Sequence, residues 1–360
     1  MQQDLKAKTE GRKERREKPS HGALLLVLLA MGLGLFGVFR LLRAPEPGPA
    51  KPVTAFEVPA GSTARSISLR LHEKGLIRDE RAFRALIVAT GSAKKLRAGE
   101  FPLSPSMSAR EVLDALLRGP PVLHEVLVPE GFTARQIAAR LEALGIGSAA
   151  RYKELAFSKS FTASLGVQAD SLEGYLFPTT YSFSKPFSEE KVLSDMVGSL
   201  RKALPMGWEA GARRQGLKSL HELLTLASIV EKETGQGFER PLIAGLFLNR
   251  LKKGMRLQTD PTVIYGIGET YDGNIRKKDL LKPTPYNTYV IKGLPPGPIA
   301  SPGLAAIQAV LSPQPSGYLF FVARKDGTHH FSETYGEHEQ AVRYYQLGRG
   351  KPPRQTSAKR

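Results

Sequence analysis

The chain has 360 residues, room for two domains with appendages, and its 41% hydrophobic and 24% charged content excludes both a wholly disordered chain and a polytopic membrane protein. Fifty-two Lys and Arg against 34 Asp and Glu leave a net charge of +18, which points to an anionic partner: nucleic acid, a lipid surface or an acidic polymer. The absence of cysteine excludes disulfides, thiolate nucleophiles and Cys-ligated metals.

Residues 1–22 form a polar, basic tail, with seven Lys or Arg against four acids. Residues 23–42 follow as an apolar run broken only by Arg40. At ~1.5 Å per residue a helix of this length covers the ~30 Å hydrocarbon layer, and Arg40 can snorkel at its edge. A cleaved signal peptide is the competing reading. The long polar leader and the lack of a small-x-small site close behind the run favour an uncleaved transmembrane anchor. The cationic tail then stays in the cytoplasm and the rest of the chain faces outward, which argues against nucleic acid as the partner. A Pro-rich linker, residues 43–52, comes next.

One pattern then occurs twice, seventy residues apart. Val58-Pro59-Ala60-Gly61-Ser62-Thr63-Ala64-Arg65 is echoed by Val128-Pro129-Glu130-Gly131-Phe132-Thr133-Ala134-Arg135. Each copy predicts a short strand, a Pro-x-Gly turn and a helix capped by Thr63 or Thr133, with Gln136 completing a capping box and Gly75 or Gly145 ending the helix. A strand over 96–103 and a helix over 108–117, opened by Ser108 and Glu111, complete a small module at 53–120. The second copy opens a larger mixed domain, 121–345, and a basic tail covers 346–360. In that domain helices are predicted at 152–155, 188–204, 219–234 and 241–252, and a strand at 318–324. Loops are expected at 257–262, 285–289 and 293–299. The whole is an α+β chain.

One carboxylate stands out. On a helix over 219–234, Leu226, Ile229 and Val230 define the apolar stripe. Glu233 falls on that stripe, and Glu231 lies roughly opposite. A Glu at an apolar position is desolvated, neutralised or paired, and desolvation makes it a proton donor near neutral pH. The plainer alternative is a Glu at a frayed helix end, salt-bridged to Lys232, Arg240 or Arg250. The loops carrying Gln258, Tyr265, Tyr286, Asn287 and Tyr289 suit a sugar-binding surface of rings and amides, or are simply turns. No metal-ligand spacing, G-x-S-x-G elbow or phosphate-cradling glycine loop is present, so neither a metal nor a cofactor is expected.

The string Leu226-Ala227-Ser228-Ile229-Val230-Glu231-Lys232-Glu233-Thr234 resembles the catalytic segment of the MltG (YceG-like) endolytic murein transglycosylases. Asn249-Arg250-Leu251, the run from Met255 to Gly266, Tyr286-Asn287-Thr288-Tyr289, the run from Gly293 to Ile299 and Glu173-Gly174-Tyr175-Leu176-Phe177-Pro178 follow the same family pattern. Ser301 departs from the Asn or Thr of many relatives, away from the chemistry. The resemblance implies a LysM-like N-terminal module and a YceG-like catalytic domain. It also implies non-hydrolytic cleavage of the MurNAc-β-1,4-GlcNAc bond of peptidoglycan, leaving 1,6-anhydro-MurNAc ends, with Glu233 as acid and then base. Gln258, Asp260, Tyr286 and Asn287 are expected to hold substrate, as is Glu173, which could instead bind a neighbouring backbone. Two alternatives stay open: a hydrolytic muramidase using Asp260 as second carboxylate, and a non-enzymatic wall-binding protein. Cleavage beside the membrane makes a peptidoglycan synthase a candidate partner.

Overall fold

The computed structural model describes residues 21–46 and 51–353; most of the predicted cytoplasmic tail, part of the Pro-rich linker and the end of the basic C-terminal tail lie outside the described residues. The described residues divide into two compact units. One runs up to Val122 and includes Ser184–Pro186; the other comprises Leu123–Phe183 and the chain from Phe187 onward.

The first unit begins with α1 (His21–Leu41), whose Leu24–Leu41 stretch is long and apolar enough to cross a membrane and is not buried in the protein. Then follow β1 (Thr54–Val58), α2 (Ala64–Glu73), α3 (Glu80–Ala89), β2 (Gly99–Leu103) and α4 (Ala109–Arg118). β1 and β2 pair antiparallel, with Phe56 opposite Phe101. Both rings face inward, because side chains alternate along a strand and these positions share one face. They meet Ile67, Leu71, Phe83, Ile87, Val112 and Leu116 from the helices in one apolar cluster. Lys185 lies near the same unit's Glu57 and Glu100, at 3.4 and 3.6 Å.

The second unit opens with β3 (His124–Leu127), α5 (Ala134–Ala143), α6 (Ala149–Ala156), α7 (Lys159–Ser164) and β4 (Thr180–Phe183). It continues with α8 (Glu189–Ala203), α9 (Trp208–Arg214), α10 (Leu220–Glu233), α11 (Arg240–Lys252), α12 (Asp260–Ile267), α13 (Lys277–Leu281) and α14 (Leu304–Leu311). A hairpin of β5 (Phe320–Ala323) and β6 (His329–Ser332) and the helix α15 (Tyr335–Tyr345) close it. α10, α11 and α14 pack together at its centre, where Leu226, Ile229, Leu246, Phe247, Ile307 and Val310 are all fully buried.

The sequence repeat is a structural repeat. Thr63 and Thr133 both cap their helices in a complete capping box, with Ser66 and Gln136 as the reciprocal partners. Gly61 and Gly131 turn at φ 76° and 75°, a conformation that a β-carbon resists. In both copies the opening strand pairs antiparallel with the strand that follows the helices, β1 with β2 and β3 with β4. The stretch 257–262 differs from the loop that was expected, because its second half is the first turn of α12. Pro261 occupies that turn, where its missing N–H removes no helix bond. The strand expected over 318–324 is shorter, confined to Phe320–Ala323.

Candidate active site

α10 starts at Ser219, whose hydroxyl accepts the Glu222 N–H at 3.2 Å. From Leu223 to Val230 every residue is buried, so the helix is enclosed on all sides and not only along the stripe of Leu226, Ile229 and Val230. Ser228 fits this interior by donating to the Thr225 carbonyl and accepting from the Ile299 N–H, at 2.8 and 3.0 Å. The helical wheel misplaces Glu231 for the same reason. Its side chain is only 6% exposed, ion-paired to Arg240 at 2.9 Å, and it accepts the Gly303 N–H at 3.0 Å.

Glu233 is the last residue of α10, partly buried. Of the basic residues expected to neutralise it, Arg240 is taken by Glu231, Lys232 reaches the Gly131 carbonyl at 3.4 Å, and Arg250 donates to the Leu319 and Leu257 carbonyls at 2.6 and 2.5 Å. Its hydrogen-bond partner is the hydroxyl of Thr259, which donates to Oε1. Burial, reinforced by the charge of Asp260, pushes the Glu233 carboxyl up to about 7; the Thr259 bond and the positive fields of His329 and Arg250 oppose that rise without cancelling it. A carboxylic acid so placed holds its proton near neutrality and can deliver it.

Two loops are stitched together beside it. The Thr259 N–H donates to Thr288 Oγ1 at 3.0 Å, and the Gln258 N–H to the Thr288 carbonyl at 3.1 Å. Gln258 sits at φ 49°, a left-handed conformation costly for a side-chain-bearing residue, with its side chain exposed. Asp260 is exposed, and its Oδ1 accepts the Tyr289 hydroxyl at 2.6 Å. Burial, with the Asp260 bond, raises the Tyr289 phenol, so it remains a donor. Glu233, Gln258 and Asp260 therefore come together, joined by Thr259 and Tyr289.

Asn287 occupies a different role from the one its residue type suggested. It is fully buried, and its amide donates to the carbonyls of Asp279, Leu280 and Lys282 at 3.1, 3.1 and 2.8 Å. Its oxygen accepts the Tyr289 N–H at 3.0 Å, so the amide holds its loop together and has no donor left over. Tyr286, one residue earlier, leans on Tyr265 with ring centroids 4.8 Å apart. Together with His221, Pro298 and Glu173 it lines a cavity of about 720 Å³ whose lining does not include Glu233.

Glu173 is 2% exposed. It accepts the Ala134 N–H at 2.9 Å and the Tyr265 hydroxyl at 3.1 Å, so it does bind a neighbouring backbone. Burial pushes its carboxyl up to about 7 against those bonds. The second repeat copy thus supplies a helix N-terminus to this acid. Glu239 and His329, absent from the sequence-derived set, form a pair in which Glu239 is buried and His329 largely so, and the His329 field reaches Glu233. Their 90-residue separation leaves no local signal.

The chain matches the YceG-like family over residues 56–344 and belongs to it. It is 33% identical to a Bacillus subtilis protein named endolytic murein transglycosylase, over 88% of this chain and 91% of that one. A Streptococcus pneumoniae protein of the same name is 31% identical over 89% of this chain, which spans 63% of that longer relative. The crystal structure of a YceG-like protein from Listeria monocytogenes superposes with a TM-score of 0.55 at 35% identity, covering 81% of this chain and 99% of the other.

Proposed function

We propose that this protein is a membrane-anchored endolytic lytic transglycosylase that cuts the MurNAc-β-1,4-GlcNAc bond of peptidoglycan and leaves 1,6-anhydro-MurNAc ends. The observation that carries the reading is the partly buried Glu233 carboxyl at the end of α10, held up near 7 and bonded by Thr259. The similarity to relatives named endolytic murein transglycosylase supports the substrate class.

Protonated Glu233 gives its hydrogen to the leaving glycosidic oxygen, and the bond opens through an oxocarbenium-like state. The resulting carboxylate removes the proton of the muramyl 6-hydroxyl as that oxygen attacks the anomeric carbon. Water is not the nucleophile, so one carboxylate performs both proton transfers. Gln258 and Asp260, which flank the Thr259 bonded to this acid, are assigned to glycan hydroxyl and acetamido groups, as is Tyr286 in the lining of the cavity it shares with Glu173. Asn287 acts indirectly, by shaping the loop that carries Tyr286 and Tyr289.

α1 anchors the chain with its N-terminus in the cytoplasm and the catalytic domain, 121–345, outside. Residues 53–120 form a LysM-like wall-binding module, a reading supported by their strand-helix-helix-strand order. A peptidoglycan synthase working at the same membrane is a candidate partner.

Mass spectrometry of products from purified sacculi tests the reaction. Anhydro ends released by the wild type and absent with Glu233→Gln are expected; reducing ends would transfer the chemistry to a muramidase with Asp260 activating water. A Glu233→Gln protein that cleaves at the wild-type rate would overturn the assignment.

A further inference from the structure

Among the carboxylates wholly or partly buried on α10 and around it, one has no part in the reaction as proposed and none in the caps and ion pairs already described, apart from its pairing with His329. Glu231 is neutralised by Arg240, Glu173 is held by Ala134 and Tyr265, and Glu233 is the acid. The one left over, Glu239, is 3% exposed and stands in the 3-10 turn Gly237–Glu239 that follows α10.

Both Glu239 oxygens are directed at the β5–β6 hairpin. Oε1 accepts the backbone N–H of His329 at 2.8 Å, and Oε2 accepts its ring Nδ1–H at 2.7 Å. One carboxylate thereby fixes both the main chain and the rotamer of a single histidine. Oε2 also accepts the hydroxyl of Thr234 at 3.3 Å. Thr234 directly follows Glu233 and is the residue at which α10 unwinds into extended backbone, φ −141° and ψ 136°. The acid thus sits where the helix's own hydrogen bonding gives out, and Glu239 ties the first residue beyond it to the hairpin.

The ring of His329 packs edge-on against Phe321 at 5.2 Å and is 12% exposed. Because Nδ1 carries the proton bonded to Glu239, Nε2 is the nitrogen left over, and it has no hydrogen-bond partner among the described residues. The groups that act electrostatically on Glu233 come from four elements: Asp260 at the start of α12, Arg250 on α11, Tyr289 in the 284–290 loop, and His329 on β6. Arg250 is a permanent charge committed to carbonyls, and His329, held by both Glu239 oxygens, is the other positively acting neighbour of Glu233.

We propose that Glu239 and His329 are positioning residues for Glu233: Glu239 pins the end of α10 and orients the imidazole, and His329 supplies the positive charge that stabilises the carboxylate left after proton donation. The proton itself goes from Glu233 to the leaving oxygen and returns to Glu233 from the 6-hydroxyl; none passes to His329. The inference rests on Glu233 being the general acid.

The test uses the full-length protein on purified glycan strands, with kcat and KM followed across pH for His329→Gln, His329→Lys and Glu239→Gln. His329→Gln is expected to lower kcat about tenfold or more with little change in KM, because a misplaced or unsupported acid affects the chemical step. Its alkaline limb should move up by about half a pH unit or more, since the lost cation had favoured the carboxylate. His329→Lys should return the limb toward the wild-type position. A 13C titration of the Glu233 carboxyl in the folded His329→Gln protein reads the same change without turnover. Wild-type kcat and pH profile in His329→Gln, or a lowered kcat with the limb and the carboxyl titration both unmoved, overturns the proposal. Glu233→Gln run in parallel separates the two ideas. Full activity there removes the acid assignment itself, whereas an inactive Glu233→Gln beside an unaffected His329→Gln removes only the positioning role.

Discussion

The hydroxyl of Thr259 donates to the carboxyl of Glu233 across 26 residues of chain, joining the end of α10 to the residue that precedes α12. That bond works against burial. Desolvation favours the neutral acid, whereas a donor aimed at the carboxyl favours the anion, and the balance leaves the group near 7. The proposed reaction, in which one carboxyl releases a proton and takes one back, calls for that intermediate setting.

Thr259→Val should disturb the setting without altering size. With the donor gone the Glu233 carboxyl rises further, so the alkaline limb of kcat/KM moves to higher pH while kcat falls about tenfold as proton donation becomes harder. Rate measurements on defined glycan strands between pH 5 and 9 check both, and an unshifted limb would disconnect Thr259 from the acid.

Glu233→Gln carries a stability signature independent of turnover. The folded protein holds this proton up to about 7 and the unfolded chain only to 4.5, so folding binds a proton between those values. The group costs no stability below the lower value, and stability falls as pH rises toward the upper one. The Gln variant escapes that loss. It should match the wild type at pH 4 and exceed it by roughly 2–3 kcal/mol at pH 8, as read by urea unfolding at both pH values.

Arg240→Met leaves Glu231, with a side chain 6% exposed, without its ion-pair partner. An uncompensated buried charge costs about 3 kcal/mol or more. The double variant Glu231→Gln with Arg240→Met should recover most of that loss, since both charges are then removed. A double-mutant cycle in chemical denaturation measures the coupling.

Two glycines that meet crowded surroundings should answer differently to the same methyl group. At Gly174, φ is +81° and an added Cβ would lie 2.3 Å from Pro298 Cβ, in a ring that cannot turn away. At Gly303 the obstruction is the carboxyl end of Glu130, a flexible side chain about half exposed, and φ is −72°. Gly174→Ala is therefore expected to cost about 2–4 kcal/mol. Gly303→Ala should cost under about 1 kcal/mol, because Glu130 can swing aside. Thermal unfolding of the pair decides it.

What the sequence made legible was whatever depends on neighbours along the chain. The caps at Thr63, Thr133 and Ser108, the glycine turns of the repeat and the apolar position of Glu233 all follow from spacings of a few residues. What depends on distant partners was not. Glu231 looked solvent-facing because Arg240 and Gly303, which make its burial tolerable, lie nine and 72 residues away. Asn287 looked like a ligand for sugar, although its amide is consumed by three carbonyls of the preceding turn. Asp260 looked like loop because Pro261 reads as a breaker, while in a first helical turn it is well tolerated.

The duplicated strand–turn–helix has separated into two careers. In the second copy, Gly131 and Phe132 exchange backbone bonds with Ser301, at 2.8 Å each, and Ala134 caps Glu173. Transplanting residues 59–75 into positions 129–145 would reproduce the backbone but bring Ser62 to the place where Phe132 packs and Ala60 to that of Glu130. The later cassette has become a fixed fitting of the enzyme's interior, while the earlier one is spent on a small apolar cluster of its own around Phe56 and Phe101.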